Sequence, residues 1–246
     1  VQKQFSQADG SCHIYILHPP GGLVGGDSLT VQIRAGANTQ ALITSPSAAK
    51  AYRCAENAPS QRVSQLIDVA ENAHLEWLPQ ETIFYDGAKA EIDNQVRLHS
   101  SSSFLGWEIQ MLGRRASGEG FARGIIDQSS RIWQGNKLCH RESLRVSGDH
   151  LGSAWGLNSA SVLGTLVAIP KQGGQPSLEE AVSRVQTLLR EPSWGVTLRG
   201  STLLVRYLGD SAETCRQGFG QARKLLVEDA IFNGSRMGYE PRIWKT

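Results

Sequence analysis

Carboxylates are the side chains with the clearest capacity for chemistry in this sequence. Six of them stand beside aromatic or glycine-containing segments: Glu76, Glu81, Asp86, Glu108, Glu119 and Glu142. Paired carboxylates serve as general acid and base, and single ones are exchangeable oxygen ligands for divalent cations. No spacing defines a Ser-His-Asp or Cys-His constellation, and no Gly-x-Ser-x-Gly motif occurs. The residues alone therefore predict no catalytic residue and no cofactor-binding residue.

A glycine-rich loop at residues 18–27 carries two further reactive side chains, His18 and Asp27. A phosphate-binding loop ends in Gly-Lys-Ser/Thr at the start of a helix. Here the loop ends at Asp27 and leads into residues 28–34, where polar and apolar residues alternate as in a half-buried strand. The pattern predicts a strand–loop–strand connection and no nucleotide hydrolysis.

Two Cys-His dipeptides, Cys12-His13 and Cys139-His140, contain ligand types that suit Ni²⁺ or Zn²⁺. Neighbouring side chains on a regular strand point to opposite faces, so one dipeptide cannot chelate a metal there. The predicted arrangement at both places is a buried cysteine beside a surface histidine.

Composition excludes several classes of function. The 246 residues contain 25 Lys and Arg against 23 Asp and Glu, without the basic excess of a nucleic-acid-binding protein. The sequence shows no signal-peptide pattern and no run of about 18 apolar residues, which argues against a membrane protein. Four cysteines without Cys-x-x-Cys spacing are typical of a reducing compartment. The prediction is a cytoplasmic protein.

Short apolar segments separated by turn residues dominate the first 170 residues and predict layered sheets of many short strands. The predicted strands include residues 12–17, 95–99, 121–126, 131–133, 141–146 and 162–169. Residues 171–246 have an α/β pattern, with helices predicted over 178–190, after a capping box at Ser177 and Glu180, and over 212–231. We expect a mainly β fold in which residues 1–246 form one structural unit, with a β-rich body (1–170) and an α/β C-terminal part (171–246).

Five motifs occur in a characteristic order: residues 18–27, residues 75–88, Gly106-Trp-Glu108, residues 112–119 and Pro241-Arg-Ile-Trp244. This series closely resembles the urease accessory protein UreD family, called UreH in some bacteria. The resemblance spans nearly the whole chain. Family members usually carry a further β segment at the N-terminus, so this chain is expected to be a version trimmed there.

The resemblance implies a maturation factor without catalytic activity. Proteins of this family bind apo-urease and a helical accessory protein, UreF, and through it recruit the GTPase UreG, which brings Ni²⁺. The family fold is mainly β with two helices near the C-terminus. Family members are thought to contain a water-filled passage for nickel, so Ni²⁺ is expected in transit and no cofactor is expected to be tightly bound.

A nickel conduit must bind its ion weakly, and ionised carboxylates with water supply exchangeable oxygen ligands. The expected passage residues are Asp27, Glu108 and Glu142, with Glu81, Glu119 and His18 as weaker candidates. The alternative is a β-sandwich hydrolase that uses two of these acids as acid and base. Such an enzyme needs its carboxyls roughly 5–10 Å apart across an open groove.

Overall fold

The computed structural model describes residues 4–18, 21–173, 178–229, 231–232 and 239–245. In chain order its strands are β1 (Phe5–Ser6), β2 (Cys12–Tyr15), β3 (Ser28–Ala35), β4 (Gln40–Thr44), β5 (Ala49–Ala51), β6 (Gln61–Val69), β7 (His74–Leu78), β8 (Thr82–Phe84), β9 (Lys89–Leu98), β10 (Ser103–Leu112), β11 (Ile125–Gln134), β12 (Lys137–Ser147), β13 (Val162–Ile169), β14 (Trp194–Arg199) and β15 (Thr202–Gly209). The helices in these ranges are α1 (Leu178–Leu188) and α2 (Ala212–Glu228). Short 3₁₀ turns lie at Arg115–Ser117, Gly148–His150 and Arg242–Lys245.

The strands of the described ranges form two sheets. Sheet A has ten strands; its main path runs β1-β2-β4-β7-β10-β13-β15-β14, and β5 and β8 form a branch joined to β10. Sheet B has five strands in the order β12-β11-β9-β6-β3. The predicted fold class, mainly β in layered sheets with two helices after residue 171, is confirmed.

Most neighbouring strands in the N-terminal half run parallel. In sheet A, β2, β4, β7 and β10 are successive parallel neighbours, and in sheet B the same holds for β3, β6, β9 and β11. Parallel neighbours need a long connection to return the chain to the same end of the sheet. Here the connection includes a strand of the opposite sheet. In chain order, β3 of sheet B lies between β2 and β4, and β9 of sheet B lies between β8 and β10. The chain therefore winds between the two sheets and encloses the space between them.

Helix α2 covers the outer face of sheet A. Ser211 caps its first turn, since the Ser211 hydroxyl accepts a hydrogen bond from the Thr214 N–H at 3.0 Å. Phe219 is fully buried and stacks on Trp107 of β10, with ring centroids 5.9 Å apart. Gly164 of β13 permits this close approach, because a Cβ there would overlap Cys215 Sγ. Helix α2 thus packs on sheet A through an apolar interface that leaves no space for a Cβ at position 164.

A buried ion pair also ties α2 to sheet A. Arg223 donates through Nε to Glu76 Oε2 of β7 at 2.9 Å, and both side chains are almost fully buried. Burial alone would raise the pKa of Glu76, but the charge of Arg223 and the neighbouring His74 bring the pKa below its ordinary value. Burying a paired charge is tolerable, whereas leaving one partner alone is very costly.

Several strands extend beyond their predicted limits. The segment predicted at 95–99 is the end of the ten-residue β9. The ten-residue β11 contains the segment predicted at 131–133 but only residues 125–126 of the strand predicted at 121–126, because residues 121–124 are not in a strand. The middle residues of β9 and β11 are polar on both faces of the strand, which hides the alternation of polar and apolar residues. The hairpin strand β14 was not predicted. Ser177, the predicted N-cap of α1, and the prolines of the 18–27 loop lie outside the described residues.

Candidate functional site

A cavity of about 370 Å³ lies between sheets A and B. Much of its wall is apolar and includes Trp77, Phe104 and Ile132. One band of the wall is polar, with carboxylates, amides, an imidazole and a guanidinium contributed by both sheets. Polar groups at inward positions of a β core are unusual and call for a reason.

The polar band follows from the register of the strands. In sheet B, Glu142 is paired with Ser130, Ser130 with Asn94, and Asn94 with Gln65, so these four side chains share one inward row. In sheet A, Glu108 is paired with Thr165, and Thr165 with Arg206. Directly paired residues point to the same face of a sheet. Two polar rows therefore face each other across the cavity.

Glu108 is held by amide groups from sheet B. Asn94 Nδ2 donates to Glu108 Oε1 at 2.5 Å, and Gln128 Nε2 donates to the other carboxyl oxygen. Gln110 in turn donates to the carbonyl of Gln128. Burial raises the pKa of Glu108 to about 7; the hydrogen bonds from Gln128 and Asn94 oppose the rise, and the negative charge of Glu142 adds to it. This carboxyl therefore exchanges its proton near neutral pH.

Glu142 has the opposite electrostatic setting. Arg206 Nη1 donates to Glu142 Oε1 at 2.6 Å, and His140 Nε2 lies 3.5 Å from Glu142 Oε2. Burial alone would raise the pKa of Glu142. The hydrogen bonds and charges of His140 and Arg206 outweigh that effect and lower the pKa to about 2. Glu142 is thus ionised at all physiological pH values and is already paired with a cation.

Several buried polar atoms of the band lack a hydrogen-bond partner, among them Asn94 Oδ1, Gln110 Oε1 and His140 Nε2. A polar cavity of this size has room for several water molecules, which would satisfy these groups. Among the described residues, no three His, Cys, Asp or Glu side chains are arranged to hold a metal ion. The cavity thus has room for water beside its polar groups, and its described residues do not form the closed cage of a structural metal site.

The structure brings together only two of the six predicted site residues, Glu108 and Glu142. The other four lie outside the cavity lining: His18, Asp27, Glu81 and Glu119. Their part in a nickel passage stays a prediction.

Each of these four has a local setting of its own. Asp27 Oδ2 accepts a hydrogen bond from the Val24 N–H at 2.9 Å and so closes its own loop, while His18 is exposed. Glu81 is contacted by Arg216 of α2 at 3.3 Å. Glu119 pairs with Arg114 and accepts from the Asp86 N–H at 3.1 Å.

The prediction for the Cys-His dipeptides was wrong. His13 and His140 are the buried members, only 1% and 6% exposed, while Cys12 and Cys139 are half-buried. The alternation of side chains along β12 explains why His140 is buried. Leu144 and Val146 are apolar and point inward, and every second residue before them points inward too. The same parity reading identifies Glu142 as inward-facing. All four cysteines are free.

The predicted alternative, a carboxylate-pair hydrolase, has one supporting feature. The pKa values of Glu108 and Glu142 are pushed apart, as those of an acid and its partner carboxylate are. However, Arg206 occupies one oxygen of Glu142, and amide donors occupy both oxygens of Glu108. Both carboxyls would have to give up a contact before acting as acid and base, so the geometry supports a polar cavity within a β scaffold better than a hydrolase site.

Comparisons with known proteins identify the family of the chain. A family model described as UreD urease accessory protein matches residues 1–245. Urease accessory protein UreD of Saccharophagus degradans is 38% identical, the alignment covering 100% of this chain and 84% of that protein. The proteins of the same name from Janthinobacterium sp. and Enterobacter sp. are 37% and 35% identical, over 100% of this chain and 82% and 85% of their own lengths.

These matches place the chain in a class of proteins, the urease accessory proteins. Within that class, the chain belongs to the UreD family. In the part of the chain that the structure describes, neither helix is long and apolar enough to cross a membrane.

Proposed function

We propose that this protein is a urease maturation factor that passes Ni²⁺ through the cavity between sheets A and B. It acts without catalysis of its own, as a scaffold that binds apo-urease and UreF in the cytoplasm. Through UreF it recruits UreG, whose GTP hydrolysis drives the delivery of nickel to the urease active site. Membership of the UreD family supports the urease accessory role, and the partners follow from the resemblance of the sequence to that family.

The polar band of the cavity is the observation that carries the nickel proposal. A protein that used this space only for stability would fill it with apolar side chains, because unpaired buried polar atoms cost free energy. Instead Glu108 and Glu142 face the cavity from opposite sheets, and amide carbonyls beside them lack partners. Such oxygen ligands bind a divalent cation and release it again.

The weakness of the ligands is consistent with transport. A site of three or four Cys and His ligands holds its metal with a large free energy, and the ion leaves slowly. Glu108 gives up its proton near pH 7, so a cation can replace the proton at little cost. We expect the ion to stop briefly at Glu108 and then move on.

Co-expression of urease with its accessory proteins tests the proposal. The strain would carry the urease structural subunits, UreF, UreG and this chain, either unaltered or as Glu108→Ala. The matched control is Glu91→Ala, because Glu91 lies on β9 with its side chain 49% exposed and outside the cavity. We expect Glu108→Ala to reduce nickel-dependent urease activity while the complex still co-purifies, and Glu91→Ala to have no effect.

Two results would contradict the proposal. Full urease activation in the absence of this chain would exclude the accessory role altogether. Full activation with Glu108→Ala, with the complex intact, would exclude the cavity as the route of nickel. Asp27→Ala belongs in the same series: a loss of activation there, with the cavity variants active, would place the route along the 18–27 loop instead.

A further inference from the structure

His140 has no role in the passage as described so far, yet its position is unusual. The residue is only 6% exposed, it lines the cavity, and its Nε2 has no hydrogen-bond partner. The nitrogen loses its hydration on burial, and the Glu142 carboxyl 3.5 Å away compensates that loss only in part, because the two atoms do not form a hydrogen bond of ordinary geometry. Such an atom, directed at a polar cavity, indicates a ligand that the structure does not contain.

A carboxyl oxygen of Glu142, which lies on the same face of β12, is close to His140 Nε2. Nε2 lies 3.5 Å from Glu142 Oε2. An ion about 2.1 Å from both atoms would subtend an angle of about 110° between them, close to tetrahedral. A small side-chain rotation brings the angle to the roughly 90° of octahedral coordination. The pair is therefore spaced to chelate one metal ion from the wall of the cavity, with water completing the shell.

Arg206 stabilises the His140–Glu142 pair when no metal ion is bound. Its guanidinium contacts Oε1 of Glu142 at 2.6 Å and leaves Oε2 on the side of His140. The Arg206 side chain is 46% exposed, so solvent can hydrate its charge when it is displaced from Glu142. It compensates the charge of Glu142 until a cation arrives.

We infer that His140 and Glu142 form a chelating pair for a divalent first-row transition-metal ion, and that Arg206 is the partner that the ion displaces. The inference deepens the proposed function and rests on it only for the identity of the cargo as Ni²⁺. An imidazole ligand favours nickel, cobalt, copper or zinc over Mg²⁺ and Ca²⁺, which prefer oxygen alone. The pair would thus give the cavity a preference that carboxylates and amides by themselves do not provide.

A second His-x-Glu pair in the chain provides a matched control. His74 Nε2 lies 3.7 Å from Glu76 Oε1 on β7, and Arg223 pairs with Glu76 as Arg206 pairs with Glu142. This pair packs under α2 with almost no exposure and does not line the cavity. It has the same chemistry without the access, so replacing His74 should leave metal affinity unchanged.

Isothermal titration calorimetry of the purified full chain with NiCl₂ tests the inference. We expect His140→Gln to weaken nickel binding at least about tenfold, since even the loss of an outer-shell partner of a metal ligand costs that much. Arg206→Gln should strengthen binding, by up to about fivefold, because a competing half-exposed ion pair is removed. His74→Gln should bind nickel like the unaltered chain, and MgCl₂ should bind the unaltered chain much more weakly than NiCl₂ does. Thermal unfolding of each variant confirms that it is folded.

The outcomes separate the inference from the proposed function. An unaltered chain without measurable nickel binding, or a folded His140→Gln variant with unchanged affinity, would overturn the chelating pair. Loss of binding in His74→Gln but not in His140→Gln would do the same. Urease activation by co-expression is a separate readout: if activation does not require this chain, the proposed function fails even where calorimetry shows the chelating pair.

Discussion

The raised pKa of Glu108 makes a sharp prediction about stability and pH. The unfolded chain releases this proton near the ordinary value of 4.5, while the folded protein holds it up to about 7. Between these pH values the folded state binds more protons than the unfolded state, so stability falls as pH rises. Above about pH 7 the whole cost of the buried charge is present. The Glu108→Gln substitution removes this pH dependence, because an amide does not titrate.

The magnitude follows from the two pKa values. The interval between 4.5 and about 7 corresponds to about 3 kcal/mol of folding free energy, at about 1.36 kcal/mol for each pH unit. The cavity allows some hydration of Glu108, so this figure is an upper value. In the Glu108→Gln variant the new amide group would also face the amide donors of Asn94 and Gln128, and that mismatch shifts stability by a constant amount at every pH. The difference between pH values is therefore the informative quantity.

Urea unfolding at about pH 5, 6, 7 and 8 measures that difference. We expect Glu108→Gln to gain up to about 2.5 kcal/mol relative to the unaltered chain between about pH 5 and pH 8, since part of the titration lies below pH 5. Glu91→Gln serves as the control, since Glu91 is exposed on β9 and should show no such trend. An offset for Glu108→Gln that stays constant across this pH range would refute the argument, because Glu108 would then titrate alike in both states.

Two further predictions concern the attachment of α2 to sheet A. Arg223→Ala leaves Glu76 buried without its guanidinium partner and should destabilise the fold by about 3–5 kcal/mol in urea unfolding. Arg62→Ala breaks an exposed ion pair and should cost less than about 1 kcal/mol. Equal effects of the two substitutions would contradict the role of burial. Gly164→Ala places a methyl group against Cys215 and should cost about 1–3 kcal/mol in thermal or urea unfolding. Gly195→Ala, on β14, meets open space and should be close to neutral, so a similar loss there would show that the effect is not a matter of packing.

The sequence predicted the helices and most apolar strands because their periods are local. The strand predicted at 162–169 has the observed limits of β13, and the helices predicted at 178–190 and 212–231 differ from α1 and α2 by at most three residues at their ends. The family was also readable from the sequence, since its motifs consist of consecutive residues. Strands β9 and β11 were only partly predicted, because Asn94, Gln128 and Ser130 put polar side chains on an inward face. The residues that form the cavity are thus the ones that obscured the strand pattern.

The sequence, through its resemblance to the family, predicted six candidate residues for a nickel passage, and Glu108 and Glu142 are two of them. Only the tertiary structure decided that these two face one cavity while Asp27, Glu81 and Glu119 are engaged elsewhere. The reason is physical: Glu108 and Glu142 lie on different sheets, and their meeting depends on parallel strand pairing and register between distant segments. Strand parity can be read along a chain, but the partner of a strand cannot, because the hydrogen bonds that choose it form between segments far apart in sequence.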